Sequence, residues 1–186
     1  MIVTTSTVDV AAGPEPMRML LAEPAGNAGR FPGLLLFTDI FALTPSMQRA
    51  VVRFASYGFV VGVPEFYHRT EPAGTMIPFA DRDHAMSAAG ATLAEHFDAD
   101  TRAALDYLRG HSRVRRGGLG VTGFCIGRHL TVRAALQPGV AASVAFYPTG
   151  LHDDSLGGSS DADTLAQAAG GGIKGKIMLG DRKSVV

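Results

Sequence analysis

The residue best equipped for chemistry is the single cysteine, Cys125, in the run Gly123-Phe124-Cys125-Ile126-Gly127. Glycines stand two residues before it and two after it. A side chain held at the tip of a strand-to-helix turn needs a strained backbone, and bulk at those two flanking positions would block the turn. A helix beginning behind the sulfur favours negative charge on the thiol and on an oxyanion beside it. This arrangement suits nucleophilic attack on a carbonyl, with the Ile126 N–H as one oxyanion donor. The second donor is expected near Ile40, in the loop after the apolar run Gly33–Phe37. The competing reading of Cys125 is a small buried hydrophobe, the usual fate of a free cysteine.

The elements that must hold these residues follow from apolar patterning. Residues 17–21, 33–37, 59–63, 119–123, 142–147 and 176–179 read as strands. Thr44-Pro45 supplies an N-cap hydroxyl and a first-turn proline for a helix ending near Ser56. Further helices are expected over residues 93–109 and 128–136, the latter stopped by Pro138-Gly139. Residues 65–78 form a long proline-containing connection, and residues 150–175 a polar loop rich in Gly and Asp. Such alternation predicts an α/β fold with a mostly parallel sheet and helices on both faces. Ligands bind beyond the carboxyl ends of such strands. The loops after Phe37, Val63 and Gly123 lie at that end.

Composition narrows the function. The chain has 186 residues, 46% hydrophobic and 18% charged, with zero formal net charge, which suits one globular domain. The basic cluster Arg113, Arg115, Arg116 is short and lacks interleaved aromatics, so no nucleic-acid partner is expected. One cysteine excludes an intrachain disulfide and favours a reducing compartment. The first ten residues lack a signal-peptide pattern, and no run reaches the about 18 apolar residues of a membrane span. A cytoplasmic protein with no membrane partner is therefore expected. Gly118, Gly120 and Gly123 match a G-x-G-x-x-G pattern, but they precede and occupy a strand rather than opening a helix. No cofactor is expected. His68, His84, His96 and His111 show no metal-ligand spacing, so no metal is expected either.

Three segments together resemble the dienelactone hydrolase (carboxymethylenebutenolidase-like) family. They are Leu35-Leu-Phe-Thr-Asp-Ile-Phe-Ala-Leu-Thr44, Tyr57-Gly-Phe-Val-Val-Gly-Val-Pro-Glu-Phe-Tyr67 and Gly120-Val-Thr-Gly-Phe-Cys-Ile-Gly-Arg-His129. The resemblance implies an α/β-hydrolase fold and a Cys-His-Asp triad acting on a small ester or lactone that carries an anionic group, with Cys125 as nucleophile. It places Asp39 where the family has a glutamate that contacts the resting thiol. Asp39 is one methylene shorter, and a loop-capping role is its alternative. It places Arg82, by spacing to Asp100-x-x-Ala-Ala-x-x-Tyr107, where the family has an arginine reading the substrate carboxylate. A guanidinium fork suits that ligand, while a solvated surface arginine is the alternative. Arg128 stands where the family has a small residue.

In this fold the nucleophile is followed in the chain by the acid and then the histidine. After Cys125 only His129 and His152 remain. His129 is expected to pack along its helix and His152 to sit in a solvated loop. Asp181 follows the last strand too closely to serve as the triad acid. Residues 1–179 therefore read as an incomplete domain of this family. Residues 180–186 read as a non-native tail, since Asp-Arg-Lys-Ser-Val-Val is what a common sequencing adapter encodes. An authentic stop codon after Val186 would refute that reading. The complete protein is expected to be a monomer, and a sheet edge left open predicts marginal stability. An inert fragment or a non-catalytic binding protein on the same fold is the rival reading.

Overall fold

Two strands with no polar side chain, Gly33–Phe37 (β3) and Val60–Pro64 (β4), are buried at every position and form the centre of the sheet. The computed structural model describes residues 1–26, 29–146, 151 and 154–180; His152, Asp181 and the rest of the tail through Val186 lie outside that set. Beside β3 and β4 run Leu119–Gly123 (β5), Val140–Phe146 (β6) and Lys176–Gly180 (β7), all parallel. Val3–Val10 (β1) and Met17–Pro24 (β2) form an antiparallel pair that joins β4. The seven strands take the order β1-β2-β4-β3-β5-β6-β7, so the sheet is mostly parallel, as expected.

Helices cover both faces because continuous apolar strands present apolar side chains on both. Pro45–Ser56 (α1) is capped by Thr44, whose hydroxyl accepts from the Met47 N–H. It buries Met47, Val51 and Ala55, and the last two pack with Leu34, Leu36, Val61 and Val63 on one face. Ala94–Gly110 (α3) and Ile126–Ala134 (α4) cover the other face. There Phe97, Leu105, Leu108 and Leu130 pack with Leu35, Phe37 and Val121.

Three differences from the sequence reading have physical causes. The strand β1 was not expected, because its burial alternates only weakly and most of its residues are exposed. Arg82–Gly90 (α2) falls in a stretch that carried no periodic apolar signal, since it buries only Ala85, Ala88 and Ala89. Thr164–Ala169 (α5) lies inside the segment read as loop, and its one buried residue is Thr164. In each case placement comes from tertiary contacts rather than from an apolar stripe.

Candidate active site

The carboxyl ends of β3, β4 and β5 bring three connections together. Strand β5 delivers the chain to Cys125, which is the N-cap of α4. Cys125 has φ 56° and ψ −117°, outside the basins that suit a residue with a Cβ. Its flanking glycines are required by packing. A Cβ on Gly123 would stand 2.2 Å from the Gly127 carbonyl oxygen. One on Gly127 would stand 2.6 Å from the carbonyl oxygens of both Phe37 and Thr38. The Phe124 N–H donates to the Phe37 carbonyl at 3.1 Å, tying the elbow to the loop that carries Asp39 and Ile40.

Ile126 is the first residue of α4, so its N–H has no acceptor within its own helix. Among the described residues, neither the Ile126 nor the Ile40 N–H has a side-chain or loop acceptor. Cys125, Ile126 and Ile40 line one cleft of about 430 Å³. Arg82, the first residue of α2, lines the same cleft, joined by Met86 and Leu156. The structure thus brings four of the sequence-derived site residues to one concavity. Arg82 is exposed and, among the described residues, makes no ion pair or hydrogen bond with another side chain, whereas Arg18, Arg69 and Arg133 each pair with a carboxylate.

Asp39 caps its own loop. It accepts from the Phe41 N–H at 2.9 Å and makes no hydrogen bond with Cys125 among the described residues. It borders a second, smaller void of about 20 Å³, room for about one water, together with Tyr67, Glu71 and Ile126, which also lines the cleft. Burial pushes the Asp39 carboxyl above its ordinary pKa, and the Phe41 N–H only partly offsets this.

Tyr67 belongs to this site and was missed from sequence. Its hydroxyl donates to the Ile40 carbonyl at 3.3 Å, within the protein interior. Its pKa is raised by burial first, then by the nearby charges of Asp39 and Cys125. Only its position three residues after Pro64 hinted at a place near the end of β4. His129 is buried along α4, with Nε2 2.8 Å from the Thr164 hydroxyl. His68 and His84 pair with Asp100 and Glu71. No described histidine hydrogen-bonds the Cys125 thiol. No cluster of three or more metal-ligating side chains occurs among the described residues, and no helix is long and apolar enough to cross a membrane.

Comparison with known proteins agrees with this geometry. The model of the dienelactone hydrolase family matches residues 17–171. A Saccharomyces cerevisiae relative is 29% identical over 141 residues, covering 75% of this chain and 52% of the relative. The carboxymethylenebutenolidase of Pseudomonas putida is 26% identical over 125 residues, covering 64% of this chain and 51% of that protein. The chain spans about half the length of these curated relatives. A solved structure described as m3DLH superposes with a TM-score of 0.74 at 19% identity, covering 95% of this chain and 68% of that one. That likeness establishes the α/β-hydrolase type of fold.

Proposed function

Because this chain belongs to the dienelactone hydrolase family, we propose that it carries the nucleophile and oxyanion loop of a hydrolase acting on small carboxylic esters or lactones. The observation that carries this reading is the backbone of Cys125, strained between two glycines that cannot bear a Cβ. In the proposed reaction the Cys125 thiolate attacks the carbonyl carbon. The N–H groups of Ile40 and Ile126 hold the resulting oxyanion. Collapse of the tetrahedral adduct expels the alkoxide, which takes a proton, and leaves a thioester on Cys125. Water then releases the acid.

A histidine must move these protons, and no described histidine hydrogen-bonds the thiol, although His129 lines the same cleft. The reading assigns the histidine and its acid to the portion of the relatives' length that this chain does not span. Arg82, exposed at the cleft and without an ion-pair partner among the described residues, supports a substrate that bears a carboxylate. A second reading, a non-catalytic binding protein, draws on the same lack of a histidine hydrogen-bonded to Cys125 among the described residues.

The test is esterase activity in a form that includes the full relatives' length. Cys125→Ala is expected to lower kcat by at least about 1000-fold. Full activity in that variant would overturn the assignment. In the chain as given, fast alkylation of Cys125 near neutral pH is expected for an elbow thiol. A thiol inert to iodoacetamide would favour the binding-protein reading.

A further inference from the structure

Helix α2 presents Arg82 to the cleft, yet it has no large apolar anchor of its own. Its buried residues are Ala85, Ala88 and Ala89, which bury little area. Contacts at its ends must therefore set where it stands. At the carboxyl end, the turn at residues 156–159 is wedged against it. Leu156 is 1% exposed and bridges to Ser159. The Gly158 N–H donates to the Thr92 carbonyl at 2.9 Å, and the Ser159 hydroxyl accepts from the Ala94 N–H at 2.9 Å, capping α3.

The fit leaves no slack. A Cβ on Gly158 would lie 2.2 Å from the Gly90 carbonyl oxygen, at the end of α2. A Cβ on Gly157 would lie 2.1 Å from the Thr92 carbonyl oxygen and 2.9 Å from that of Ala89. The obstacles are backbone atoms, which cannot rotate away. The turn is itself anchored from behind. The Arg133 guanidinium pairs with Asp98 at 2.7 Å and donates to the Ala162 carbonyl, while the Ala162 N–H donates to the Asp154 carbonyl at 2.8 Å.

We propose that the 156–159 turn is a positioning element that sets the span between Arg82 and Cys125, and thereby the size of anionic substrate the cleft accepts. Gly158 and Ser159 are positioning residues, because they act through α2 and α3 and do not line the cleft. Leu156, in the same turn, lines the cleft together with Arg82. The inference rests on the reading of Arg82 as the carboxylate-binding group.

Cys125 is the only thiol of the chain, so alkylation reports on this cleft without any turnover. The thiolate displaces iodide from iodoacetate, which is anionic, or from iodoacetamide, which is neutral. The ratio of the two rates reads the cation facing the sulfur and cancels the thiol's general reactivity. In the unaltered 186-residue chain this ratio should exceed that of a free thiol by about fivefold. Arg82→Gln should return it to the free-thiol ratio. Gly158→Ala, which pushes on the end of α2, should lower it nearly as far, and Ser159→Ala should lower it partway. In both turn variants the iodoacetamide rate should stay within about twofold of the unaltered chain.

A ratio lowered by Arg82→Gln but unmoved by both turn variants overturns the positioning role alone. A ratio unmoved by Arg82→Gln overturns the Arg82 reading and this inference with it. If Gly158→Ala does not fold, Ser159→Ala decides. In that variant, a free-thiol ratio with an iodoacetamide rate raised to that of the unfolded chain marks mere loss of structure and counts against the proposal.

Discussion

Gly123 and Gly127 touch backbone to backbone, such that a Cβ on the first would stand 2.2 Å from the carbonyl oxygen of the second. This contact packs the end of β5 against the first turn of α4 and leaves Cys125 projecting between them. Neither glycine needs a positive φ. Their role is steric, and it is distinct from the conformational demand on Cys125 itself.

Gly123→Ala is accordingly expected to destabilise the fold by more than about 3 kcal/mol, because backbone must move. Gly110→Ala is the control. It ends α3, and a Cβ there meets nothing within 4 Å. That substitution should be neutral or stabilising by about 0.5 kcal/mol. Urea unfolding of both variants checks the contrast, and equal losses would defeat the steric argument.

How much of this was readable beforehand differs by residue. The elbow was legible because its demands are local: two small residues at fixed offsets around Cys125, between an apolar strand and a helix. Strands β3 and β4 were legible because burial on both faces leaves no room for polar residues. The partners of Tyr67 were not, since its bond to Ile40 joins loops 27 residues apart and nothing in either loop announces the other. Helix α2 escaped notice because alanine packing leaves no periodic contrast. Asp39 and Arg82 both sit in loops or first turns at the carboxyl ends of strands. Only tertiary placement separates Arg82, which lines the cleft, from Asp39, which lines the smaller void.

The Asp39 carboxyl is held above its ordinary pKa by burial. A raised folded-state pKa means that the native state binds the proton more tightly than the unfolded chain. Stability linked to this group is therefore present at acid pH and lost as pH rises through the raised value. Asp39→Asn should be more stable than the unaltered chain near pH 7, with the difference shrinking as pH falls toward 4. Urea midpoints across that range measure it. A less stable Asn variant at neutral pH would show that the ionised carboxylate is instead satisfied where it lies.

Asp100 is fully buried and accepts two hydrogen bonds of 2.7 Å from Arg69, with His68 Nε2 at 3.3 Å. Arg69 also donates to the Ala12 carbonyl. The cluster ties the loop bearing Tyr67 to α3 and to the turn after β1. Removing one partner of a buried pair leaves the others uncompensated. Asp100→Ala should cost about 3 kcal/mol or more by chemical denaturation, and a loss below about 1 kcal/mol would contradict the role given to the cluster.

His84 pairs with Glu71 at 2.8 Å, linking α2 to the loop after β4. That hydrogen bond, followed by the charges of Glu71 and Asp81, raises the His84 pKa above 6.5. The stabilisation is complete below the unfolded pKa and disappears as pH rises through the folded one. An NMR titration should place His84 above 6.5 in the unaltered chain, and Glu71→Gln should lower it. An identical titration in both would remove this pair as the cause.

The backbone at Cys125 has one more implication. With φ at 56° and ψ at −117°, the position is one where glycine would relieve a conformational penalty of about 1–3 kcal/mol. A chain shaped by folding alone would settle on glycine there. The cysteine thus marks a point where this protein tolerates a less durable architecture and keeps a thiol on the wall of the cleft. The penalty gives a direct measure, in stability units, of what the fold gives up to hold a side chain at that one position.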